Sequence, residues 1–350
     1  MSRVPTYSDH GMRTHELIVT EPGTITLEER DLDETLAPEQ ALVAAEYSIV
    51  SAGTEGAGFT GLIEEMPGRD ATYPRRTGYG HLGDVVAIGE DVTMCEPGDR
   101  VLSFSNHASY VKADTSRMAL PVPTDVAGEH LVFARMAGVG ISALRSSSVQ
   151  PGDTVVIIGM GLVGNFAAQL FSLAGADVLV ADRSADRLER AAACGLDRSV
   201  CCDAADLAEP VMDWTDGAGA DVVVEAIGNS AVINEAVFLA RRHGEVILLG
   251  SPRAREHLDV TPMLLHLHLE AIRMIGALEW RWPMHPTERA RDLLTNYQQL
   301  VGWIADGDLT VEPLLTHVAS PEACQTVYDG LTKHQDEYLG AVFDWRSYTE

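Results

Sequence analysis

The sequence predicts an α/β protein in which a β-rich unit is joined to a doubly wound parallel sheet. Residues 1–125 form short runs of alternating polarity separated by Gly and Pro, which is typical of strands and tight turns. From about residue 128 apolar strands alternate with helices, as expected of a parallel sheet covered on both faces. A glycine-rich turn lies between the first of these strands and its helix.

The elements of the second region follow from their periodicity. A helical pattern covers residues 128–149 and precedes the first apolar strand. The predicted elements that follow are strands at 154–158, 177–181, 221–226, 245–249 and 274–280, and helices at 162–173, 184–193, 231–242 and 287–306. A helix followed by a strand is expected within residues 321–345.

Composition narrows the class of function. The 350 residues are 46% hydrophobic, which is enough for two domains with cores of their own. A formal net charge of −27 argues against binding to nucleic acid or to an anionic membrane surface. No apolar run approaches about 18 residues, and the N-terminus lacks the apolar core of a signal peptide. We therefore expect a cytoplasmic protein.

The cysteines indicate neither a disulfide framework nor a cysteine-built zinc site. There are five, an odd number, and no two are spaced as C-x-x-C. Cys201 and Cys202 are adjacent, and we interpret them as ordinary thiols near a strand end rather than as a redox pair.

The strongest motif is the turn Gly159-Met-Gly161-Leu-Val-Gly164. It follows an apolar strand directly and opens a helix, which is the context that makes a G-x-G-x-x-G pattern informative. The first glycine permits a tight turn, the second allows a pyrophosphate to approach the backbone, and the third permits close packing of helix and strand. The backbone N–H groups of Leu162 and Val163 would face the anion.

The second predicted strand is followed by Asp182, where an acid accepts hydrogen bonds from both ribose hydroxyls and repels a 2′-phosphate. This favours NAD over NADP. Arg183 partly offsets the preference, and with Arg187 it would supply positive charge near the phosphates. Further cofactor contacts are expected at the next strand ends, from Ile227, Gly228, Gly250, Ser251 and Pro252. Ordinary turn glycines are the alternative interpretation of those strand ends.

Five segments together resemble the medium-chain dehydrogenase/reductase superfamily. They are SAGTEGAGFTG (51–61), GYGHLGDVVAIGEDV (78–92), PGDRV (97–101), PGDTVVIIGMGLVG (151–164) and EYLGAVFDW (337–345). The resemblance implies a GroES-like catalytic domain (1–147 and 282–350), a Rossmann NAD-binding domain (148–281) and an active site in the cleft between them. It also implies a homodimer or homotetramer, with residues 274–280 at the edge that pairs.

The sequence departs from the zinc-dependent members of that superfamily. Where they carry the cysteine, histidine and third ligand of the catalytic zinc, this chain has Ala52, Tyr79 and, approximately, Arg135. The segment that holds the structural zinc is also absent. The resemblance is therefore to a zinc-free branch, close to the sugar and polyol dehydrogenases, and no metal site is expected.

Without zinc, a side chain must manage the proton that accompanies hydride transfer. Tyr79 is a candidate acid/base, although it could merely fill the vacated metal cavity. His81 would share a strand face with Tyr79, and Thr54 matches the family's proton-relay hydroxyl. Three further candidates are Glu55, which could pair with Arg135 or bind substrate hydroxyls, His107, which could contact substrate, and Arg135, which could stabilise an oxyanion.

These observations predict an NAD-dependent, zinc-independent oxidation of a secondary alcohol on a polar small molecule such as a sugar, cyclitol or polyol. The alternatives are a zinc-free C=C reductase of the enoyl or quinone type, an epimerase-like enzyme that oxidises and re-reduces on one retained NAD, and a non-catalytic NAD-binding protein.

Overall fold

The computed structural model describes residues 11–65, 72–285 and 292–349. The strands within these ranges are β1 Arg13–Glu21, β2 Thr24–Asp31, β3 Gln40–Ile49, β4 Arg75–Arg76, β5 His81–Ile88, β6 Arg100–Ser103, β7 Tyr110–Asp114, β8 Ala119–Pro121, β9 Thr154–Ile158, β10 Asp177–Asp182, β11 Ser199–Cys201, β12 Ala220–Glu225, β13 Ala240–Leu248, β14 Arg273–Gly276, β15 Leu315–Ala319 and β16 Gly340–Asp344. The α-helices are α1 Ala52–Thr60, α2 Gly128–Leu131, α3 Ala134–Ser146, α4 Leu162–Leu173, α5 Ala185–Ala193, α6 Ala208–Trp214, α7 Ser230–Leu239, α8 Thr261–Leu269, α9 Leu293–Asp306 and α10 Cys324–Lys333.

Two sheets built mainly of antiparallel pairs form the β-rich part. A three-stranded sheet has the order β2-β1-β4. A larger sheet has the order β15-β16-β3-β5-β6-β8, and β7 also pairs with β3. Strands β15 and β16 come from the far end of the chain, and β16 pairs antiparallel with β3. The hydrophobic interior between this sheet and helices α3 and α9 includes Leu82, Phe133 and Leu300, all fully buried.

The second part is a six-stranded sheet with the order β11-β10-β9-β12-β13-β14. Every pairing in it is parallel. Strand β9 reads TVVII and lies at the centre, so both of its faces are buried, as its unbroken apolar sequence predicts. Helices cover both faces of this sheet, and a separate apolar cluster lies between the sheet and the helices on each face. The predicted fold class, a β-rich unit with a doubly wound parallel sheet, is confirmed.

Three element predictions were wrong in part. Helix α1 occupies residues expected to be β structure, because AGTEGAGFT is too rich in small residues to show helical periodicity. The predicted helix over 231–242 ends at Leu239, where β13 begins. The predicted strand over 274–280 ends at Gly276 and is followed by a 3₁₀ turn at Glu279–Arg281.

Helix α9 begins after Asp292, whose side chain accepts the backbone N–H of Thr295 and caps the helix. The start of the predicted helix, at residues 287–291, lies outside the described residues. None of the helices in the described ranges combines the length and the apolar character needed to cross a bilayer.

Candidate active site

A cleft of about 580 Å³ lies between helix α1 and the carboxyl ends of strands β9, β12 and β13. This is where open parallel sheets bind ligands. Of the residues predicted from sequence, those that line it are Thr54, Tyr79, Arg135, Gly159, Gly161, Leu162, Val163, Gly164, Arg187, Ile227, Gly250 and Ser251. Those outside its lining are Glu55, His81, His107, Asp182, Arg183, Gly228 and Pro252.

The glycine turn has the shape that a pyrophosphate requires. Gly159 has φ +100°, and a Cβ at Gly164 would lie 1.8 Å from the carbonyl oxygen of Gly159, so both positions depend on glycine. A Cβ at Gly161 would meet no atom within 4 Å, which leaves open space above the turn. No side chain caps helix α4, so its first N–H groups are available to an anion. These residues fit a dinucleotide.

Asp182 lies at the end of β10, beside the turn. Its carboxylate accepts the backbone N–H groups of Met160 at 2.6 Å and Ser184 at 2.9 Å, which fixes its orientation. Nη1 of Arg187 is 3.7 Å from the Asp182 carboxylate. Arg183 instead points to solvent and lies 3.8 Å from Asp203, so it contributes less positive charge here than the sequence suggested.

The loops that follow β12 and β13 approach each other closely at two glycines. Gly228 has φ +79°, and a Cβ at Gly250 would lie 2.1 Å from the Gly228 nitrogen. The buried carboxylate of Glu225 accepts the N–H groups of Ile227 and Gly228, both at 2.8 Å. Burial raises the pKa of Glu225, against the opposing effect of these hydrogen bonds. Ile227 thereby projects into the cleft over Gly159.

Tyr79 presents its phenol to the other side of the cleft. Its hydroxyl donates to Oγ of Ser51 at 2.5 Å. Ser51 precedes helix α1, and Thr54 in the first turn of that helix faces the same cleft. Two hydroxyls and a phenol therefore face the carboxyl ends of the parallel strands, and each can exchange a proton or a hydrogen bond with a bound alcohol.

Arg135 is buried behind Tyr79. Its guanidinium forms a two-pronged ion pair with Glu279 at 2.9 and 2.8 Å, and Nε donates to the carbonyl of Tyr79. Nη1 also donates to the hydroxyl of Tyr297. The guanidinium carbon lies 4.4 Å from the centre of the Tyr79 ring. Because Glu279 neutralises Arg135 and most of its N–H groups are used, the pair is built to position Tyr79 rather than to receive an oxyanion.

The side chains at the three positions where zinc-dependent relatives carry ligands do not fit a catalytic zinc ion. Ala52 has no ligand atom, Tyr79 is hydrogen-bonded to Ser51, and the third position holds a guanidinium cation. Across the described residues, no group of three or more His, Cys, Asp or Glu side chains is arranged to hold a metal ion.

The expected pairing of Glu55 with Arg135 is wrong. The Glu55 carboxylate is buried behind helix α1, where it accepts hydrogen bonds from Thr77 at 2.8 Å and from Tyr328 at 2.5 Å. Nε2 of His107 lies 3.0 Å from the same oxygen. Burial acts to raise the pKa of Glu55, but His107 and the hydrogen bonds from Ser51 and Tyr328 together lower it below the ordinary value. Arg135 already has a bidentate partner in Glu279, so Glu55 is left to His107.

His107 and His81 are fully buried in the β-rich part, away from the cleft lining. Nδ1 of His107 lies 2.7 Å from Oγ of Ser48. Nε2 of His81 donates to the carbonyl of Ala108 at 3.2 Å, and burial lowers the pKa of His81 to about 4. Tyr79 lies just before strand β5, where the backbone does not continue the alternation, so the expected shared face with His81 is not seen.

Among the cleft residues not predicted from the sequence are Ser51, Glu279 and Arg253. Ser51 and Glu279 carry no motif, because their roles depend on partners far along the chain. Arg253 follows Pro252 and reaches across the cleft to donate to Oγ1 of Thr54 at 3.1 Å. Its position three residues after Gly250, just beyond the end of a strand of the parallel sheet, was the available signal, since such strand ends face the ligand.

Parts of the sequence are similar to known dehydrogenases. The zinc-binding dehydrogenase family model matches residues 163–293. Over 51% of this chain and 61% of the relative, the sequence is 30% identical to a sorbitol dehydrogenase of Halalkalibacterium halodurans. It is 26% identical to the D-guloside 3-dehydrogenase of Escherichia coli K12, over 63% of this chain and 69% of the relative.

Solved structures extend the similarity of fold to almost the whole chain. The alcohol dehydrogenase RspB of Escherichia coli CFT073, complexed with NADH, superimposes with a TM-score of 0.80 at 17% identity. That superposition covers 95% of this chain and 100% of RspB. Part of the sequence therefore resembles the zinc-binding dehydrogenases, and almost the whole chain has the fold of an alcohol dehydrogenase.

Proposed function

We propose that this protein oxidises a secondary alcohol of a sugar, cyclitol or polyol, reversibly, with NAD and without a catalytic zinc ion. The observation that carries the proposal is the replacement of the family's zinc ligands by Ala52, Tyr79 and Arg135 at a cleft that keeps its dinucleotide turn. The names of the sorbitol and guloside dehydrogenases support the substrate class.

The cofactor would accept the hydride, and the protein must handle the hydroxyl proton. We assign that proton to Tyr79, which as a phenolate would accept it during oxidation and as a phenol, hydrogen-bonded to Ser51, would return it during reduction, with Thr54 orienting the substrate hydroxyl. Arg135 and Glu279 hold the Tyr79 ring in place. Residues 148–281 would form the cofactor domain, and residues 1–147 with 282–350 the catalytic domain.

The preference for NAD rests on Asp182. The turn holds its carboxylate at the end of β10, where it would accept the ribose hydroxyls and repel a 2′-phosphate. Replacing Asp182 with Ser should raise the affinity for NADPH relative to NADH by about tenfold or more. The matched control is Asp186→Ser, four residues later in the exposed first turn of α5. Unchanged cofactor selectivity in Asp182→Ser would contradict this assignment.

The activity is tested by following NADH formation with a panel of sugars, cyclitols and polyols, before and after treatment with a chelator. The proposal expects turnover that chelation does not abolish, in protein without stoichiometric zinc. Turnover that depends on stoichiometric zinc would refute the zinc-free mechanism. Reduction of C=C bonds with NADPH as the preferred cofactor would support the enoyl or quinone reductase alternative instead.

We also propose that the protein is a cytoplasmic homodimer. Within the described residues β14 pairs only with β13, which leaves one side of this edge strand open. Helix α8 beside it exposes more than half the surface of Leu264, Leu265 and Leu269. Sedimentation measurements should give twice the chain mass, and Leu265→Glu should shift the protein toward monomer. A monomeric wild type at micromolar concentration would contradict the proposal.

A further inference from the structure

The loop after strand β13 places a cation at the reacting end of the cleft. Arg253 lines the cleft, and its Nη2 donates to Oγ1 of Thr54, the hydroxyl that faces the substrate position. The guanidinium lies over the start of helix α1, where a Cβ at Gly53 would be in ordinary van der Waals contact with Nη1 of Arg253, at 3.4 Å. The side chain therefore crosses the cleft from the parallel sheet to helix α1.

Arg253 differs in its charge balance from the other arginines of the cleft. Arg135 is paired with Glu279, and Arg187 lies 3.7 Å from Asp182. In the part of the chain that the structure describes, no carboxylate oxygen lies within 4.0 Å of the Arg253 guanidinium. The chain carries a formal net charge of −27, so acidic partners for arginines are abundant. An uncompensated cation in a ligand cleft indicates that the ligand supplies the negative charge.

The surroundings of Arg253 reinforce this interpretation. The side chain is only partly exposed, and burial lowers its pKa, which means that the charged form lacks full hydration. One hydrogen bond to a neutral hydroxyl uses one of five N–H groups. The remaining donors form the fork that binds a carboxylate or a phosphate through two hydrogen bonds.

We propose that the substrate carries an anionic group of its own, a carboxylate or a phosphate, and that Arg253 binds it. The substrate would then be a sugar acid or a sugar phosphate rather than a neutral polyol. This inference rests on the proposed function, since it identifies the substrate class of the same cleft. Thr54 contacts both the guanidinium and the substrate position, so the anion would lie a few bonds from the reacting hydroxyl.

The cofactor's pyrophosphate is the competing anion. Its site is the N-terminus of helix α4, where Gly161 leaves open space and the N–H groups are uncapped. Arg253 instead contacts Thr54 on helix α1 and lines the same cleft as Tyr79, the group assigned to the substrate proton. The position of Arg253 therefore favours a substrate anion over the pyrophosphate.

The experiment measures binding, so that it does not depend on turnover. Protein saturated with NADH is titrated calorimetrically with matched four- to six-carbon polyols, the corresponding aldonates and the corresponding polyol phosphates. We expect at least one anionic series to bind about tenfold or more tightly than its neutral counterpart, as a charged hydrogen bond to Arg253 requires. The tighter of the two anionic series identifies the anion as carboxylate or phosphate.

Arg253→Gln should remove that advantage, so that the anionic and neutral probes bind with affinities within about twofold of each other. Arg255→Gln removes an exposed arginine outside the cleft lining, and this variant should still bind the anionic probe more tightly than the neutral one. The proposal is overturned if no anionic probe binds more tightly than its neutral partner, or if Arg253→Gln weakens NADH binding without changing the preference for anions. Failure of the proposed alcohol oxidation would appear separately, as absence of turnover with the preferred binding intact.

Discussion

The hydroxyl of Tyr79 donates a 2.5 Å hydrogen bond to Oγ of Ser51, at the start of the helix that lines the cleft. If the phenol handles the substrate proton, Tyr79→Phe should lower kcat by about 10²- to 10⁴-fold. NADH affinity should stay unchanged, because the cofactor turn is on the other side of the cleft. The measurement is steady-state kinetics together with NADH titration.

The matched control for that change is Tyr110→Phe, which also removes one hydroxyl. Tyr110 donates to the carbonyl of Thr349 and lies outside the cleft lining. Its kcat should stay within about twofold of wild type, since no reacting group is touched. A similar small effect from Tyr79→Phe would show that the phenol only fills space.

The Arg135–Glu279 pair should behave as a buried ion pair. Both side chains are almost fully buried, so Glu279→Ala leaves an uncompensated cation and should cost about 3–5 kcal/mol in the free energy of unfolding. The double change Arg135→Met with Glu279→Leu should recover most of that loss, because neither charge is then buried alone. Urea denaturation measures both values, and a double variant no more stable than Glu279→Ala would contradict the interpretation.

Two glycines of the same turn should respond differently to alanine. A Cβ at Gly164 would lie 1.8 Å from the Gly159 carbonyl oxygen, so Gly164→Ala should lower the thermal stability. Gly161 has φ −68° and open space around its Cα, so Gly161→Ala should keep the melting temperature but weaken NADH binding about tenfold or more. Thermal unfolding and NADH titration of both variants test the contrast. Unchanged NADH affinity in Gly161→Ala would place the pyrophosphate elsewhere.

His81 should make the protein less stable at low pH. Its folded pKa is about 4 against an ordinary value of 6.5, because burial disfavours the charged ring. The folded protein therefore holds the ring in its neutral form. The contribution of His81 to the free energy of unfolding is complete above pH 6.5 and is lost as the pH falls from 6.5 towards 4. The stability difference between wild type and His81→Gln should shrink by about 3 kcal/mol over that interval. Urea denaturation across the pH range measures it, and a constant difference would contradict the assignment.

The bounds of a helix or strand were predictable from the sequence where a local pattern of residues determines that element. Strand β9 and helix α4 begin and end as the apolar run and the glycine turn predict, because each depends on neighbours within about ten residues. Helix α1 was missed because its small residues lack an apolar stripe and its stability comes from packing and from Glu55, which accepts the Ser51 N–H at 2.7 Å.

The candidate site was predictable in its residue types but not in its pairings. Arg135 and Glu279 are 144 positions apart, and Arg253 and Thr54 are 199 apart. No periodicity connects such residues, since only the tertiary fold brings them together. This is why the sequence could offer Arg135 as one possible partner of Glu55, although in the folded chain Arg135 pairs with Glu279 and Glu55 contacts His107.

The pairing of β16 with β3 has a consequence for the order of events during translation. Nε1 of Trp345, just after β16, donates to Oγ of Ser48 in β3, and the two residues are 297 positions apart. A growing chain therefore leaves residues 47–49 of β3 without their partner strand until β16, at Gly340–Asp344, has left the ribosome. The six-stranded sheet is complete by Gly276 and can assemble earlier, so the sheet whose first strands are synthesised earlier is completed later.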